Sequence, residues 1–349
     1  MNNKIKGFDG LRGLSVLFVI ASHAVLWPRI GVTSPAVTSV FSAHVGVSIF
    51  FVLSGFLITH LLIKEKQATG SIDLRAFYAR RALRIFPLYY LAVIFLLFLD
   101  YAGKASIPNC IYPFAFTYTI NFIPKSCAFS SMSHFWSLAV EEHFYLIWPF
   151  VFLLGKRAAI GSAIVFIAAC IYFGTSAFPV LPDFYVNRWT FPAALPIAVG
   201  CLLAFACDRH AVKQFFSSES NGAIILVAIV AGMGAPAFVK TEIAWLAAVS
   251  LLLLYVYHNQ KSVLVRILET RFLATLGVIS YGLYVWQGVF TGNGTYRTGH
   301  PFPPDVDVGV WLTFIAAPLS YVFFERPILR LKAKFSWRGR APSTVESPA

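Results

Sequence analysis

The sequence predicts an all-α, polytopic membrane protein with about ten transmembrane helices and both termini in the cytoplasm. Of its 349 residues, 58% are hydrophobic and only 12% are charged, which is about half the charged fraction of an ordinary soluble domain. The apolar residues occur in runs long enough to cross a bilayer as helices. These runs are continuously apolar and do not alternate with polar residues, which argues against a transmembrane β-barrel.

Ten apolar runs define the predicted spans. The basic, apolar N-terminus has no convincing cleavage site, so we interpret it as an uncleaved first span and not as a signal peptide. We expect one transmembrane domain over residues 1–334 and a polar, disordered cytoplasmic tail over 335–349. The runs lie near residues 11–30, 42–63, 85–100, 136–154, 158–178, 191–207, 221–239, 243–257, 273–290 and 308–325.

The distribution of basic residues orients these spans. With the N-terminus inside, the predicted inner segments contain 22 of the 28 Lys and Arg residues, as the positive-inside rule requires. The net charge of +13 is therefore explained by topology, and the chain has no basic arm typical of nucleic-acid binding. A shorter apolar run at 111–123 would invert every later span, so we place 101–135 outside as a loop that dips into the membrane or packs on top of it.

Five cysteines are present. Cys110 and Cys127 both lie in the predicted outer loop, where an oxidising environment would allow a disulfide. The alternative is two unrelated buried thiols. Cys170, Cys201 and Cys207 lie in or beside spans, and we expect them to be packing residues.

Arg12 and His23 are the most informative polar residues of the first span. Eleven helical steps place them on one face and about 16 Å apart along the axis. Ionisable groups inside membrane helices are costly and usually functional. A fixed cation at one depth and a proton-transfer group deeper in the membrane indicate a long anionic ligand lying along this helix.

A cationic ridge precedes the third span. Arg80, Arg81 and Arg84 lie at its predicted inner entrance, and Arg80 and Arg84 share a helix face. Guanidinium groups match phosphate oxygens in geometry. The ridge indicates either a phosphate-ligand site, with Arg80 and Arg81 as candidates, or topology anchoring on lipid phosphates.

The fourth span has a polar stripe. Positions 134, 137, 141, 145 and 148 share one face, and Glu141 on that stripe is the candidate to orient or charge-balance an imidazole. The alternative is a buried ion pair with a nearby basic residue. Glu142 points about 100° away, and we expect it to face a surface or loop.

Other spans carry features that favour packing or interfacial positions. Gly46, Ser54 and Gly55 in the second span permit close helix approach. Aromatic residues of the ninth span are typical of an outer membrane belt, and Gln287 is a candidate to line a cavity. The predicted belt residues are Tyr281, Tyr284 and Trp286.

Taken together, these motifs resemble the acyltransferase-3 integral membrane acyltransferases over nearly the whole chain. Gln287 departs from the pattern, since relatives often have His there. The matching motifs are residues 8–13 (FDGLRG), Arg12 with ten residues before His23, 46–56 (GVSIFFVLSGF), Arg80-Arg81, 136–141 (WSLAVE), Ser280-Tyr281 and 325–327 (ERP).

The resemblance implies an enzyme of the inner membrane that transfers an acyl group, in the first instance acetyl, from cytoplasmic acetyl-CoA to a saccharide hydroxyl outside. Acceptors in the family include O-antigen and exopolysaccharide. We expect Arg12, Arg80 and Arg81 to bind the donor, His23 and Glu141 to be catalytic, and no metal. Many relatives carry an appended SGNH hydrolase-like domain, which this sequence lacks, so we expect direct acylation of the acceptor. The alternative class is a transporter or flippase of a lipid-linked saccharide.

Overall fold

A computed structural model describes residues 5–173, 181–234, 242–292 and 301–335. Within these ranges every named element is a helix, in agreement with the predicted all-α class. Of the predicted tail over 335–349, only Phe335 is described, and the rest lies outside the described residues.

Eleven of the helices coincide with the predicted apolar runs, and each run falls on at least one of them. They are α1 (Phe8–His23), α2 (Ala43–Thr69), α3 (Leu74–Tyr101), α4 (Phe135–Leu153), α5 (Lys156–Tyr172), α6 (Leu195–Ala206), α7 (Glu219–Gly234), α8 (Glu242–His258), α9 (Arg271–Val278), α10 (Ser280–Thr291) and α11 (Val306–Ser320).

The predicted count of ten spans is not settled by helix length. In the described part of the chain, three helical stretches are long and apolar enough to cross a membrane, or five if each of two bent pairs counts as one span. One bent pair is α9 with α10, at 71°. The first predicted span is interrupted, because α1 ends at His23 and Val25 adopts a positive φ of 52°, which a continuing right-handed helix does not allow.

Helix α1 packs against α2, α9 and α10, while α2 packs along α6. Two glycines allow α2 and α6 to approach closely. A Cβ built on Gly55 would lie 1.9 Å from the carbonyl oxygen of Ile197, and one on Gly200 would lie 2.2 Å from that of Val52. The predicted packing role of Gly55 is therefore confirmed.

Helix α3 begins with a side-chain cap that fixes its register. Gly70 ends α2 in the left-handed conformation, with φ of 76°, which favours glycine. The Asp73 carboxylate then accepts a hydrogen bond of 2.9 Å from the Ala76 N–H, satisfying one free donor of the first turn. This short turn places the arginines of α3 close to the end of α2.

The segment between α3 and α4 contains only short helices, so no continuous helix crosses at 111–123, as predicted. The disulfide alternative is also confirmed, because Cys110 and Cys127 are bonded with their Cα atoms 5.7 Å apart. The Lys125 N–H donates to the Asp183 carbonyl oxygen over 2.7 Å, which fastens this segment to the one before α6. The three remaining cysteines are buried free thiols, as expected for packing residues.

Candidate active site

One cavity lies between α1, α2, α3, α4 and α10, and it contains most of the polar residues that the sequence singled out. Its walls combine three arginines and one glutamate with hydroxyl groups and apolar side chains. The lining residues are Arg12, Val47, Phe50, Phe51, Ser54, Arg81, Arg84, Ile85, Ser137, Leu138, Glu141, Ser280, Tyr281 and Tyr284.

Arg12 and Arg84 are the cations of this cavity that have no acid partner at ion-pair distance. Among the described residues neither guanidinium has a carboxylate within 4 Å, and the buried Nε of Arg12 has no hydrogen-bond partner. The charges of Arg12 and Arg84 repel each other, and Asp9 offsets them only at longer range. Two half-buried cations that repel each other are costly without a counter-ion, so this wall of the cavity is suited to an anionic ligand.

Arg81 is held by two neighbours on α4. Its guanidinium carbon lies 3.6 Å from the centre of the Tyr145 ring, and its Nε lies 3.5 Å from Glu142 Oε1. The expectation that Glu142 faces a surface or loop is wrong: its side chain is only 13% exposed and pairs with Arg81 of α3. Arg81 is thus fixed in place while it lines the cavity.

Arg80, which is also predicted to bind the acyl donor, does not line the cavity. Its Nη2 lies 3.1 Å from Oε2 of the buried Glu65, and its Nη1 donates to the Phe335 carbonyl oxygen over 2.6 Å. The residue that lines the cavity beside Arg81 is Arg84. The spacing of three places Arg81 and Arg84 on one helix face, but the spacing of four does the same for Arg80 and Arg84, so spacing alone does not select the pair.

Glu141 lines the cavity, as its helical stripe predicted, but its contacts are not with an imidazole. Its Oε1 accepts hydrogen bonds from Ser54 Oγ and, over 3.4 Å, from Tyr145 Oη. Its charge acts on Arg12 and Arg81. Ser54, expected to serve packing alone, therefore also positions the carboxylate of the site.

His23 ends α1 and lies beyond the residues that line the cavity. Its Nδ1 is 2.9 Å from the Val19 carbonyl oxygen. A carbonyl oxygen only accepts, so Nδ1 of the neutral ring donates and Nε2 keeps the lone pair. The hydrogen bond inside α1 thus leaves Nε2 available as a base or nucleophile.

A polar chain connects the cavity with the surroundings of His23. The Tyr284 hydroxyl lies 2.5 Å from Ser137 Oγ and donates to the His134 carbonyl oxygen over 3.1 Å. His134 and Arg188 each interact electrostatically with His23. Arg188 also interacts electrostatically with Tyr284. Tyr284 of the cavity wall and His23 therefore share Arg188 as an electrostatic neighbour.

The structure corrects the predicted interfacial belt of α10. Tyr281 and Tyr284 line the cavity, and Trp286 is buried, with its Nε1 donating to Ser320 Oγ over 3.0 Å. Gln287 does not line the cavity, since it is fully buried and its Nε2 donates to Thr291 Oγ1. Aromatic residues near the end of an apolar run suit an interface or a cavity wall equally, and the packing of α10 decides between them.

This all-helical architecture, with apolar helices of membrane-spanning length around a cavity that carries three arginines, defines a membrane protein. The chain matches the acyltransferase-3 family, described as an acyltransferase domain, over residues 5–325. The chain therefore belongs to the acyltransferase-3 family. No solved structure matches it.

Its relatives include several O-acetyltransferases. It is 28% identical to the putative peptidoglycan O-acetyltransferase YrhL of Bacillus subtilis, over 93% of this chain and 55% of the relative. It is 26% identical to the peptidoglycan O-acetyltransferase OatA of Listeria monocytogenes, over 93% and 56%, and 27% identical to the O-acetyltransferase OatA of Staphylococcus aureus, over 93% and 57%. The chain thus spans little more than half the length of these relatives.

Proposed function

We propose that the chain is a membrane O-acyltransferase that moves an acetyl group from cytoplasmic acetyl-CoA to a saccharide hydroxyl at the outer face of the inner membrane. The observation that supports this most is the pair Arg12 and Arg84, two cavity cations without an acid at ion-pair distance in the described chain. A CoA thioester carries phosphates for these cations and an apolar arm for the remaining walls. Peptidoglycan, the acceptor in the names of two relatives, favours a glycan.

The proposed orientation follows from the positive-inside distribution. It places Arg12 near the cytoplasm and His23 about 16 Å nearer the outer side along α1. The donor phosphates then lie on Arg12, Arg81 and Arg84, and the pantetheine arm extends through the cavity toward His23. The Cys110–Cys127 disulfide belongs to the outer side in this orientation, where thiols are oxidised more readily.

The chemistry proposed for His23 is general base catalysis. The acceptor oxygen attacks the thioester carbonyl carbon while Nε2 takes the hydroxyl proton. The carbon–sulfur bond then breaks, and the departing thiolate takes that proton from the imidazolium. In the alternative route, Nε2 attacks the thioester and displaces CoA as its thiolate; the acceptor oxygen then takes the acyl group from Nε2, and its hydroxyl proton neutralises the thiolate. Both routes require the Nε2 lone pair that the Nδ1 hydrogen bond leaves free.

Glu141 and Arg80 have supporting roles in this proposal. Glu141, held by Ser54 and Tyr145, offsets part of the positive charge of Arg12 and Arg81. The helices around the cavity therefore stay packed when no donor is bound. Arg80 contributes through its contacts with Glu65 and Phe335 rather than through the donor itself. This assignment replaces the expected contact between Glu141 and an imidazolium.

The test is acetyl transfer by the purified full chain in liposomes with labelled acetyl-CoA and a peptidoglycan-derived oligosaccharide. An acyltransferase consumes acetyl-CoA and labels the oligosaccharide. A transporter or flippase of a lipid-linked saccharide binds glycan but releases no acetyl group, and that result would overturn the proposal. Release of one equivalent of CoA without an acceptor would select the acyl-histidine route.

A further inference from the structure

We propose that Lys332, in the segment after α11, binds the ribose 3′-phosphate of the acyl donor. The proposal rests on the function proposed above and adds a binding residue that lies outside the motifs of the sequence. The chemical group that Lys332 recognises is a phosphate monoester dianion.

The position of Lys332 is fixed by the packing of its segment. Residues Leu331–Phe335 form a 3-10 turn that packs against α3. The Phe335 carbonyl oxygen accepts the 2.6 Å hydrogen bond from Arg80 Nη1, and Arg80 is itself paired with Glu65. The segment is therefore held beside the turns of α3 that carry the cavity arginines.

Charge makes this position unusual. Lys332 is half-buried, and the leading charge interactions of its ammonium group are all with arginines, namely Arg84, Arg81, Arg12 and Arg80. In the described part of the chain it has no carboxylate within ion-pair distance. Like charges gathered in a partly buried place raise the free energy of the folded chain, and a bound polyanion removes that cost.

The order of chemical groups along CoA assigns a phosphate to Lys332. The thioester comes first, followed by the pantetheine arm, the diphosphate and the ribose with its 3′-phosphate. Arg12, Arg81 and Arg84 line the cavity, whereas Lys332 does not and belongs to the turn packed against α3. With the thioester inside, the cavity arginines meet the diphosphate and Lys332 meets the more distant 3′-phosphate. A lipid headgroup phosphate shares this chemistry and is the competing source.

The experiment measures equilibrium binding of CoA and of 3′-dephospho-CoA to the purified full chain in neutral-lipid nanodiscs. Lys334, in the same segment but exposed, provides the matched control. We expect Lys332→Gln to weaken CoA binding about tenfold, as loss of one charged hydrogen bond would, and Lys334→Gln to leave it unchanged. Dephospho-CoA should bind the wild-type chain and Lys332→Gln equally.

Two results would overturn the assignment: unchanged CoA affinity in Lys332→Gln, or equal weakening of both ligands. An effect that appears only with anionic lipid would assign Lys332 to a headgroup instead. Restored affinity in Lys332→Arg and an unchanged melting temperature exclude misfolding as the cause. A wild-type chain that binds neither ligand would contradict the proposed function itself, which separates that failure from failure of the Lys332 assignment.

Discussion

The guanidinium of Arg81 stacks over the ring of Tyr145, with the guanidinium carbon 3.6 Å from the ring centre. This contact joins α3 to α4 at the cavity wall, and Glu142 supports it from the same helix. A stacked guanidinium keeps its outer N–H groups for a ligand, because the ring occupies only one face. The stacking therefore orients Arg81 toward the cavity.

Substitutions of Tyr145 test this orientation. Tyr145→Leu removes the ring and should weaken acetyl-CoA binding roughly 3- to 30-fold, the equivalent of about 0.5–2 kcal/mol for a cation–π contact. Tyr145→Phe keeps the ring and loses only the long hydrogen bond to Glu141, so its affinity should stay near that of the wild type. Isothermal titration of both variants measures the difference, and equal affinities in the two would contradict the stacking argument.

The arginines of the cavity and of its border should respond differently to substitution. Arg12→Gln or Arg84→Gln removes a cation that lines the cavity, and we expect acetyl-CoA affinity to fall about tenfold or more. Arg80→Gln leaves the buried Glu65 without its ion pair, so it should lower the melting temperature with a smaller effect on affinity. Thermal denaturation and titration of the same samples separate the two effects. Unchanged affinity in Arg84→Gln would assign that residue a structural role.

The disulfide should stabilise the segment between α3 and α4. Cys110 and Cys127 are 17 residues apart, and closing a loop of that length contributes about 3 kcal/mol. We expect a reducing agent to lower the melting temperature of the wild-type chain. The double variant Cys110→Ser, Cys127→Ser should melt at the reduced temperature with or without the reductant, and a reductant effect that persists in this variant would have another origin.

Close packing of α2 on α6 predicts a strong effect at Gly55. A Cβ at this position meets the Ile197 carbonyl oxygen at 1.9 Å, so Gly55→Ala forces the helices apart and should cost about 1–3 kcal/mol of stability. Gly161 in α5 has no atom within 4 Å of a built Cβ, and Gly161→Ala should leave stability unchanged or raise it. Similar melting temperatures for the two variants would contradict the packing.

Much of this architecture is predictable because membrane helices have a strong local signal. Continuous apolar runs mark where helices form, and the spacing of Arg12 and His23 places both on α1. Gly55 was predictable as a site of close helix packing, because glycine inside a membrane helix lets a neighbouring backbone approach closely. These features depend on residues close together in the chain.

The features that sequence missed depend on which helix faces meet. Arg80 and Arg84 share a face in isolation, yet Glu65 and Phe335 hold Arg80 outside the cavity while Arg84 lines it. From sequence, Tyr284 is typical of an interfacial belt. In the structure it contacts Ser137 and lines the cavity. Hydropathy gives no measure of these contacts, because both alternatives satisfy the same apolar surroundings.

The most direct test of the central claim compares binding and transfer in His23→Ala. Because His23 is not among the cavity residues proposed to hold the donor, the variant should bind acetyl-CoA with nearly the wild-type affinity. It should transfer no acetyl group to the oligosaccharide in liposomes, since the only proposed proton acceptor or acyl carrier is gone. Acetyl transfer at a rate near that of the wild-type chain would contradict the account.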